Sequence, residues 1–278
     1  MLLATLWFGI MNVFIKKVNS IPEMEVVFFR CLIPMIWCFA ALQKKRINWM
    51  GSNRKLLLMR GTFGTLSLYA FISTIHHMPL GTAVTIQYLS PIFTTVAAIF
   101  ILNEQVPVIQ WLFFIVSFAG VAMIKGFDER VSVFYLSVGI FSAVFSALAY
   151  NMVRSLKEKE HPLVVVLHFQ IIGTVAGFIF MLFDWKMPQG WDWLYLFLIG
   201  VCTQLGQMNL TQALQQERIA NVSILNYFGV FYALFFGYVL FGETYDWLSI
   251  SGMILVISGV LMSLLFSNRK TGQALIRR

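Results

Sequence analysis

Amide and phenol side chains interrupt a long apolar stretch of this sequence. The segment "PLGTAVTIQYLSPIF" at 79–93 carries Gln87, Tyr88 and Pro91 near its middle. In hydrocarbon an unsatisfied polar group costs several kcal/mol, so these side chains should face protein or a water-filled cavity. Pro91 also removes a backbone donor, which predicts a helix kink at this point. The segment is therefore predicted to line a cavity.

Other polar and aromatic residues lie on helix faces that would surround the same cavity. Amides, phenols and an indole suit a small organic solute, whereas bare metal cations prefer carboxylates, which lie elsewhere in the sequence. Interhelical hydrogen bonds, at about 0.6 to 2 kcal/mol each, explain any single polar residue equally well. The predicted substrate-binding residues are Trp7, Asn12, Tyr69, Gln87, Tyr88, Tyr150, Asn151, Gln204, Gln207, Asn226 and Tyr227.

Charged residues are nearly absent from the middle of the apolar segments. All twelve acidic residues lie in loops or at segment ends, which argues against a carboxylate-driven proton pump. Arg30 is the basic residue well inside a segment, so it should snorkel, find an acidic partner or attract an anionic substrate. Structural anchoring is the favoured role. The candidate partners of Arg30 are Glu23, Glu25 and Glu243.

Patterns typical of catalysis or metal binding are missing from the sequence. His76, His77 and His168 are the obvious general bases, but no histidine and carboxylate recur at a spacing that builds a catalytic group or a metal site. The phosphate-binding pattern GxxxxGK[ST] is also missing. The sequence predicts no enzyme activity and no cofactor. It leaves a membrane-embedded enzyme and a substrate-binding sensor as alternatives to a transporter.

The composition is that of a membrane protein. Of the 278 residues 59% are apolar and 12% charged, against about 25% charged in soluble domains. Apolar runs near the roughly 20 residues that cross a bilayer recur along the chain, and the first is interpreted as a helix rather than a leader. We predict an all-α protein with ten transmembrane helices near 2–18, 22–42, 56–77, 80–102, 106–125, 132–154, 162–183, 192–214, 219–241 and 246–266.

The sequence repeats itself at an offset of 139 residues, which pairs Asn12 with Asn151 and Tyr88 with Tyr227. Five spans per half is an odd number, so the second copy must enter the membrane from the opposite side. This predicts a 5+5 inverted repeat, an architecture of secondary transporters. We assign 1–128 to the first five-helix repeat and 129–278 to the second, with a short basic tail. The first span is expected to be a turn or two shorter than its counterpart.

Two glutamates occupy matching positions in these halves. Glu104 and Glu243 each follow the fourth span of their repeat. Arg60, at the start of the third span, is a suitable partner for Glu104. We predict gating or helix-end pairing for Arg30, Arg60, Glu104 and Glu243.

The basic residues predict the orientation. Fourteen Lys and Arg residues lie on the side of the two termini and five on the other side. The positive-inside rule then places both termini in the cytoplasm of a cell, or inner, membrane. The net charge of +8 is explained by anionic lipid, without nucleic acid. A monomer and a homodimer both stay open.

The stretches "RGTFGTLSLYAF" at 60–71, "NEQVPVIQWLFFIVSFAGVAMI" at 103–124 and "RIANVSILNYFGVFYALFFGYVLFGE" at 218–243 carry a family resemblance. With the segment at 78–93 they resemble EamA-type ten-helix members of the drug/metabolite transporter superfamily, and especially the solute carrier 35 G-type branch. The resemblance implies a carrier with a central cavity that opens alternately to each side, and a small-molecule substrate. Export is the expected direction.

Overall fold

The computed structural model describes residues 2–101, 106–157, 159–216 and 228–276, and the regular structure within these ranges is entirely helical. The helices of the described ranges are α1 (Leu2–Lys17), α2 (Glu23–Lys44), α3 (Arg54–His77), α4 (Leu80–Gln87), α5 (Ser90–Ile101), α6 (Val108–Phe127), α7 (Val133–Leu156), α8 (Pro162–Met181), α9 (Asp192–Gln216), α10 (Phe228–Phe241) and α11 (Trp247–Ile276).

Six helical segments of the described chain are long and apolar enough to cross a membrane. Two shorter apolar helices, Phe228–Phe241 and Trp247–Ser263, follow them. The predicted class, an all-α membrane protein, is confirmed for these ranges. The six segments are Glu23–Lys44, Arg54–His77, Leu80–Ile101, Val108–Gly126, Val133–Leu156 and Pro162–Met181.

Prolines and a serine mark the starts of several helices. Pro22, Pro79 and Pro107 immediately precede α2, α4 and α6. Proline fits there because first-turn N–H groups have no partner within the helix, so a missing donor does no harm. At the start of α7 the Ser132 hydroxyl accepts a hydrogen bond from the Phe134 N–H at 3.3 Å. These loop residues set where the helices begin.

The fourth predicted span consists of two helices. α4 ends at Gln87 and α5 begins at Ser90. Pro91 has no N–H to donate to the Gln87 carbonyl four residues earlier, and its ring would crowd that carbonyl in a continuous helix. The chain therefore turns at Tyr88 and Leu89, in the middle of an apolar segment.

Helix packing repeats between the two halves of the chain. α3 of the first half packs on α7 of the second, and their counterparts α9 and α1 also pack together. Likewise α3 packs on α8, and their counterparts α9 and α2 pack together. α2 meets α8, and α6 meets α11. The Ser117 hydroxyl on α6 donates to the Val256 carbonyl on α11 at 3.3 Å, and these residues are 139 positions apart. This exchange of contacts is what a two-fold axis between two copies of one unit produces.

The connections between helices divide between two ends of the bundle. One end, which we call the far end, carries the connections 18–22, 78–79, 128–132, 182–191 and 242–246. The other end, which we call the terminal end, carries the start of α1 and the connections that follow α2 and α7. Each helix therefore runs from one end to the other, except α4 and α5, which make one such crossing together.

Glycines let facing helices approach closely. A Cβ atom on Gly177 of α8 would lie 2.7 Å from the Phe28 backbone nitrogen on α2. A Cβ atom on Gly173, one turn earlier, would lie 2.6 Å from the Cys31 sulfur. Small residues in this pattern permit close backbone contact in membranes. Gly173 and Gly177 therefore form a GxxxG pair that brings α2 and α8 together.

Gly120→Ala is expected to destabilise the contact between α6 and α11. The new methyl group would lie 2.5 Å from the Gly252 carbonyl oxygen and 2.8 Å from the Val256 nitrogen, and rigid backbone cannot yield as a side chain does. Overpacking costs about 1–3 kcal/mol, more than the roughly 1 kcal/mol that alanine gains over glycine in a helix. Gly126→Ala on the same helix, with nothing within 4 Å of the new Cβ, is the control. Equal melting temperatures for the two purified variants in detergent would contradict the expectation.

Candidate functional site

Two arginine side chains extend into the helical bundle, Arg30 buried and Arg60 partly buried. Arg30 lies seven residues into α2, about 10 Å along the helix, and is only 7% exposed. Its Nε and Nη1 atoms have no hydrogen-bond partner among the described residues. The guanidinium carbon of Arg60 on α3 lies 4.6 Å from the ring centre of Phe169 on α8. The buried Arg60 Nε also lacks a hydrogen-bond partner within the described ranges.

Gly64 and Phe169 hold the Arg60 guanidinium in place. Gly64 lies one turn after Arg60 on α3, and a Cβ atom there would collide with Arg60 Nη1. The same Cβ would lie 2.9 Å from the Phe169 ring. A cation over an aromatic face gains roughly 0.5–2 kcal/mol. The missing side chain at Gly64 therefore lets the guanidinium lie along α3 toward the middle of the helix, over that ring.

Two tyrosines complete this group. Tyr150 on α7 lies close enough to interact electrostatically with Arg30, Arg60 and Tyr88, and 50% of its surface is exposed. Tyr88, at the break between α4 and α5, places its hydroxyl against Gly229 on α10. We call Arg30, Arg60, Tyr88 and Tyr150 the arginine–tyrosine cluster. It combines two positive charges with two neutral hydroxyl groups.

The far end is held together by a buried carboxylate. Glu243, between α10 and α11, forms an ion pair with Lys16 at the end of α1. The carboxylate also accepts a hydrogen bond from the Leu80 N–H at 2.9 Å. Because Pro79 supplies no side-chain cap to α4, Glu243 satisfies one of the free donors at the start of that helix.

Tyr245 extends the same contact. Its hydroxyl donates to Glu243 at 2.5 Å and accepts from the Gly81 N–H at 3.1 Å. Burial and this hydrogen bond to Glu243 raise the pKa of Tyr245, so the phenol stays protonated and remains a donor. We call Lys16, Glu243, Tyr245 and the first turn of α4 the Glu243 clamp. It joins the first half of the chain to the second at the far end.

The terminal end contains a cavity of about 350 Å³ between α2, α8 and α9. Gln204 on α9 lines it and is 7% exposed, and its side-chain oxygen has no hydrogen-bond partner in the described part of the chain. The wall includes Cys38, Lys44, Lys45, His161, Gln204 and Gln207. A second cavity of about 350 Å³ lies at the far end beside the clamp, and its wall includes Lys16, His76, Arg130 and Glu243.

Comparison with known proteins identifies the family. The profile of the EamA-like transporter family matches residues 1–126 and 133–265. The chain belongs to the EamA-like transporter family. It is 30% identical to the pseudopaline exporter CntI of Pseudomonas aeruginosa, over 92% of this chain and 91% of that protein. It is 26% identical to human solute carrier family 35 member G1, over 92% and 75% of the two chains.

Further likenesses support the same assignment. An uncharacterized transporter of Helicobacter pylori is 31% identical over 95% of this chain and 93% of that one. A solved crystal structure superimposes with a TM-score of 0.66 at 15% identity, covering 96% of this chain and 98% of the other, which supports the fold alone. This EamA-family protein is a secondary transporter of a small molecule, as the resemblance implied.

The cluster brings together four of the residues that sequence analysis selected in this EamA-family transporter. Other selected residues make interhelical contacts. The Ser142 hydroxyl lies 2.7 Å from Gln87 Oε1, and the Asn151 amide donates to the Thr94 carbonyl at 3.0 Å. A substrate contact by Gln87 or Asn151 stays a prediction.

The remaining predicted site residues are dispersed. Asn12 is 7% exposed, and its side-chain oxygen lacks a partner among the described residues. Trp7 packs half-buried against the apolar core. Tyr69 lies within electrostatic range of Glu23, near the far end. Glu104, Asn226 and Tyr227 lie outside the described residues.

Sequence reasoning missed the partner of Glu243. It offered this carboxylate to Arg30, but Glu243 pairs with Lys16. The available signal was Lys16 at the end of an apolar helix, where a charge needs a partner. His168, one of the candidate general bases, places Nδ1 2.9 Å from the Val164 carbonyl of its own helix.

Pro91→Ala is expected to raise the melting temperature and to lower transport. Alanine restores the donor for the Gln87 carbonyl and removes the clash that ends α4, so α4 and α5 can join. A continuous helix would rotate Tyr88 away from Gly229 and the cluster. We expect transport to fall several-fold in proteoliposomes. Pro107→Ala, at the start of α6, should leave transport unchanged, and equal transport by both variants would contradict the role of the break.

Proposed function

We propose that this transporter exports a small organic metabolite by alternating access through a cavity at the arginine–tyrosine cluster. The cluster itself carries the proposal. Arg30, Arg60 and Tyr88 come from the first half of the chain and Tyr150 from the second. A site shared by two halves can open to one side or the other when the halves rock against each other. Gln87, Asn12, Asn151 and Gln204 are proposed to extend this site.

The proposed architecture is ten spans in a 5+5 inverted repeat. The exchange of helix contacts between the halves supports it, as does the hydrogen bond between residues 139 positions apart. The two segments matched by the family profile, 1–126 and 133–265, agree closely with proposed repeats 1–128 and 129–278. One chain supplies the whole cluster, so we propose that the monomer is the transport unit.

The clamp supports a conformation that is closed at the far end, although a cavity lies at each end of the bundle. The Glu243 clamp ties α1, α4 and the α10–α11 connection together at the far end. The cavity between α2, α8 and α9 lies at the terminal end. In this proposal, release of the clamp and closure of the cavity produce the opposite conformation.

The direction and location follow from charge and from the named relative. The basic terminal side faces the cytoplasm of the inner cell membrane in this proposal, so the terminal-end cavity receives cargo from inside the cell. The exporter of Pseudomonas aeruginosa supports outward movement. Gating or helix-end pairing is proposed for Glu104 and Glu243.

Efflux from loaded vesicles tests transport directly. Proteoliposomes are loaded with a metabolite extract of the host cells, and compounds that leave are identified by mass spectrometry. We expect at least one compound to leave unchanged in mass, faster than from protein-free vesicles. Tyr150→Leu should slow this efflux, whereas Tyr238→Leu, at a tyrosine 67% exposed on α10, should not.

The same measurement separates the alternatives. A membrane-embedded enzyme would generate new masses instead of moving existing ones. A substrate-binding sensor would bind a compound and produce no efflux. Efflux that is equal with and without the protein would overturn the proposed function.

A further inference from the structure

The Arg30 guanidinium carries a charge that the described part of the protein does not balance. The ion pairs found among the described residues join Lys16 to Glu243 and Arg130 to Asp128. Arg30 belongs to neither pair, although it is 7% exposed and lies well inside α2. An unpaired charge inside the hydrocarbon region is unfavourable and marks a functional site more often than a structural one. A charge that destabilises the protein without ligand is expected to be kept where it serves a function such as binding.

Arg60 presents a second positive charge, and Tyr150 lies within electrostatic range of both arginines. One face of its guanidinium is covered by Phe169, while its Nε atom, although buried, has no hydrogen-bond partner in the described chain. Arginine offers five N–H donors and no acceptor. The Phe169 ring satisfies the charge only in part, and the Nε donor of Arg60 is left without an acceptor among the described residues.

Three acidic groups of the described residues make contacts with other partners, although Glu25 Oε1 is buried without one. Glu25 accepts a hydrogen bond from the Lys186 N–H at 3.2 Å, and Glu160 accepts from the Asn53 N–H at 2.5 Å. Glu243 belongs to the clamp. Tyr150, which lies within electrostatic range of both arginines, adds a neutral hydroxyl that can donate.

We propose that the cargo is a small organic anion whose carboxylate or phosphate group binds between Arg30 and Arg60, with Tyr150 as a further donor. Guanidinium groups match both kinds of oxyanion with paired hydrogen bonds. The same charges repel cations, and the described residues hold no group of three metal-ligating side chains. This inference rests on the proposed function, because it names the class of compound moved through the same site.

Matched pairs of compounds test the charge of the cargo. Proteoliposomes are loaded with succinate, glutamate and glycerol 3-phosphate, their neutral counterparts succinamide, glutamine and glycerol, and the host-cell extract. We expect the compounds released to carry a carboxylate or phosphate, with at least tenfold less release for Arg30→Gln and Arg60→Gln. The named acids and the phosphate ester distinguish the two kinds of oxyanion. Arg54→Gln, at an exposed arginine on α3, should release as the unchanged protein does.

Thermal stability separates loss of function from loss of fold. If the cargo supplies the counter-ion, Arg30→Gln should keep or raise the melting temperature, because it removes an unbalanced buried charge. A fall of several degrees would reveal a protein counter-ion left unpaired, and would overturn the inference. Release of only neutral or cationic compounds, or of anions unaffected by either substitution, would also overturn it while leaving transport intact. Release of nothing would overturn the proposed function itself.

Discussion

Glu243→Gln is expected to release the far end and to shift the transporter toward the conformation open on that side. The substitution leaves the partly buried Lys16 without its counter-ion and weakens the acceptor for the Leu80 N–H. Removing one partner of a buried ion pair costs about 3–5 kcal/mol. In the proposed mechanism the clamp is present only in the far-closed conformation, so the whole penalty falls on that state. At 1.4 kcal/mol per factor of ten, the population ratio should then change by roughly 10² to 4 × 10³.

Two cysteine reporters measure this shift in a protein whose native Cys31, Cys38 and Cys202 are replaced by serine. Thr82→Cys introduces a thiol on α4, where the threonine is wholly buried just inside the clamp. Met208→Cys introduces one in the wall of the terminal-end cavity. Glu243→Gln should speed reaction of a hydrophilic maleimide at position 82 and slow it at position 208.

Opposite changes at the two reporters distinguish a conformational shift from local unfolding. Unfolding would raise reactivity at both positions. Glu129→Gln, at an exposed glutamate in a far-end connection, is the matched control and should change neither rate. If Glu243→Gln also changes neither rate, the clamp does not set the conformation.

Structural features that depend on residues close together in the chain could be predicted from the sequence. Pro91 removes the donor for one carbonyl, so the break near Tyr88 depends on residues within four positions of each other. Arg30 is conspicuous because a charge inside an apolar helix is expensive wherever the helix packs. The 139-residue offset predicts which helices are equivalent, and the contact between Ser117 and Val256 lies at that spacing.

Elements that depend on distant packing could not be predicted in this way. Lys16 and Glu243 are 227 positions apart, and nothing in the pattern around Lys16 selects Glu243 over other acidic residues at the same end. In the sequence, Gly64 resembles any small residue of a membrane helix. In the structure, Arg60 and Phe169 occupy the space beside it. The amide of Gln87 fits a cavity wall and an interhelical contact equally well, because the residue type is the same for both.

Gly64→Ala is expected to abolish most transport with little loss of stability. The added methyl group occupies the position of the Arg60 Nη1 atom and lies 2.9 Å from the Phe169 ring. The end of a flexible side chain yields more easily than backbone, so the guanidinium moves away from the cluster. Loss of the contact with Phe169 costs roughly 0.5–2 kcal/mol, and alanine returns about 1 kcal/mol of helix propensity. The melting temperature should therefore change by only a few degrees.

A double-mutant cycle shows whether this effect passes through Arg60. We expect Gly64→Ala alone to reduce vesicle efflux at least tenfold, as Arg60→Gln does, because either change removes the same guanidinium from the site. Adding Gly64→Ala to Arg60→Gln should then cause no further loss, since residues that act through one group are non-additive. Independent, multiplying losses would mean that Gly64 matters for the packing of α3 on α8 rather than for the direction of Arg60. Because α3 carries Arg60 and α8 carries the Phe169 ring that it contacts, only the cycle separates these two causes.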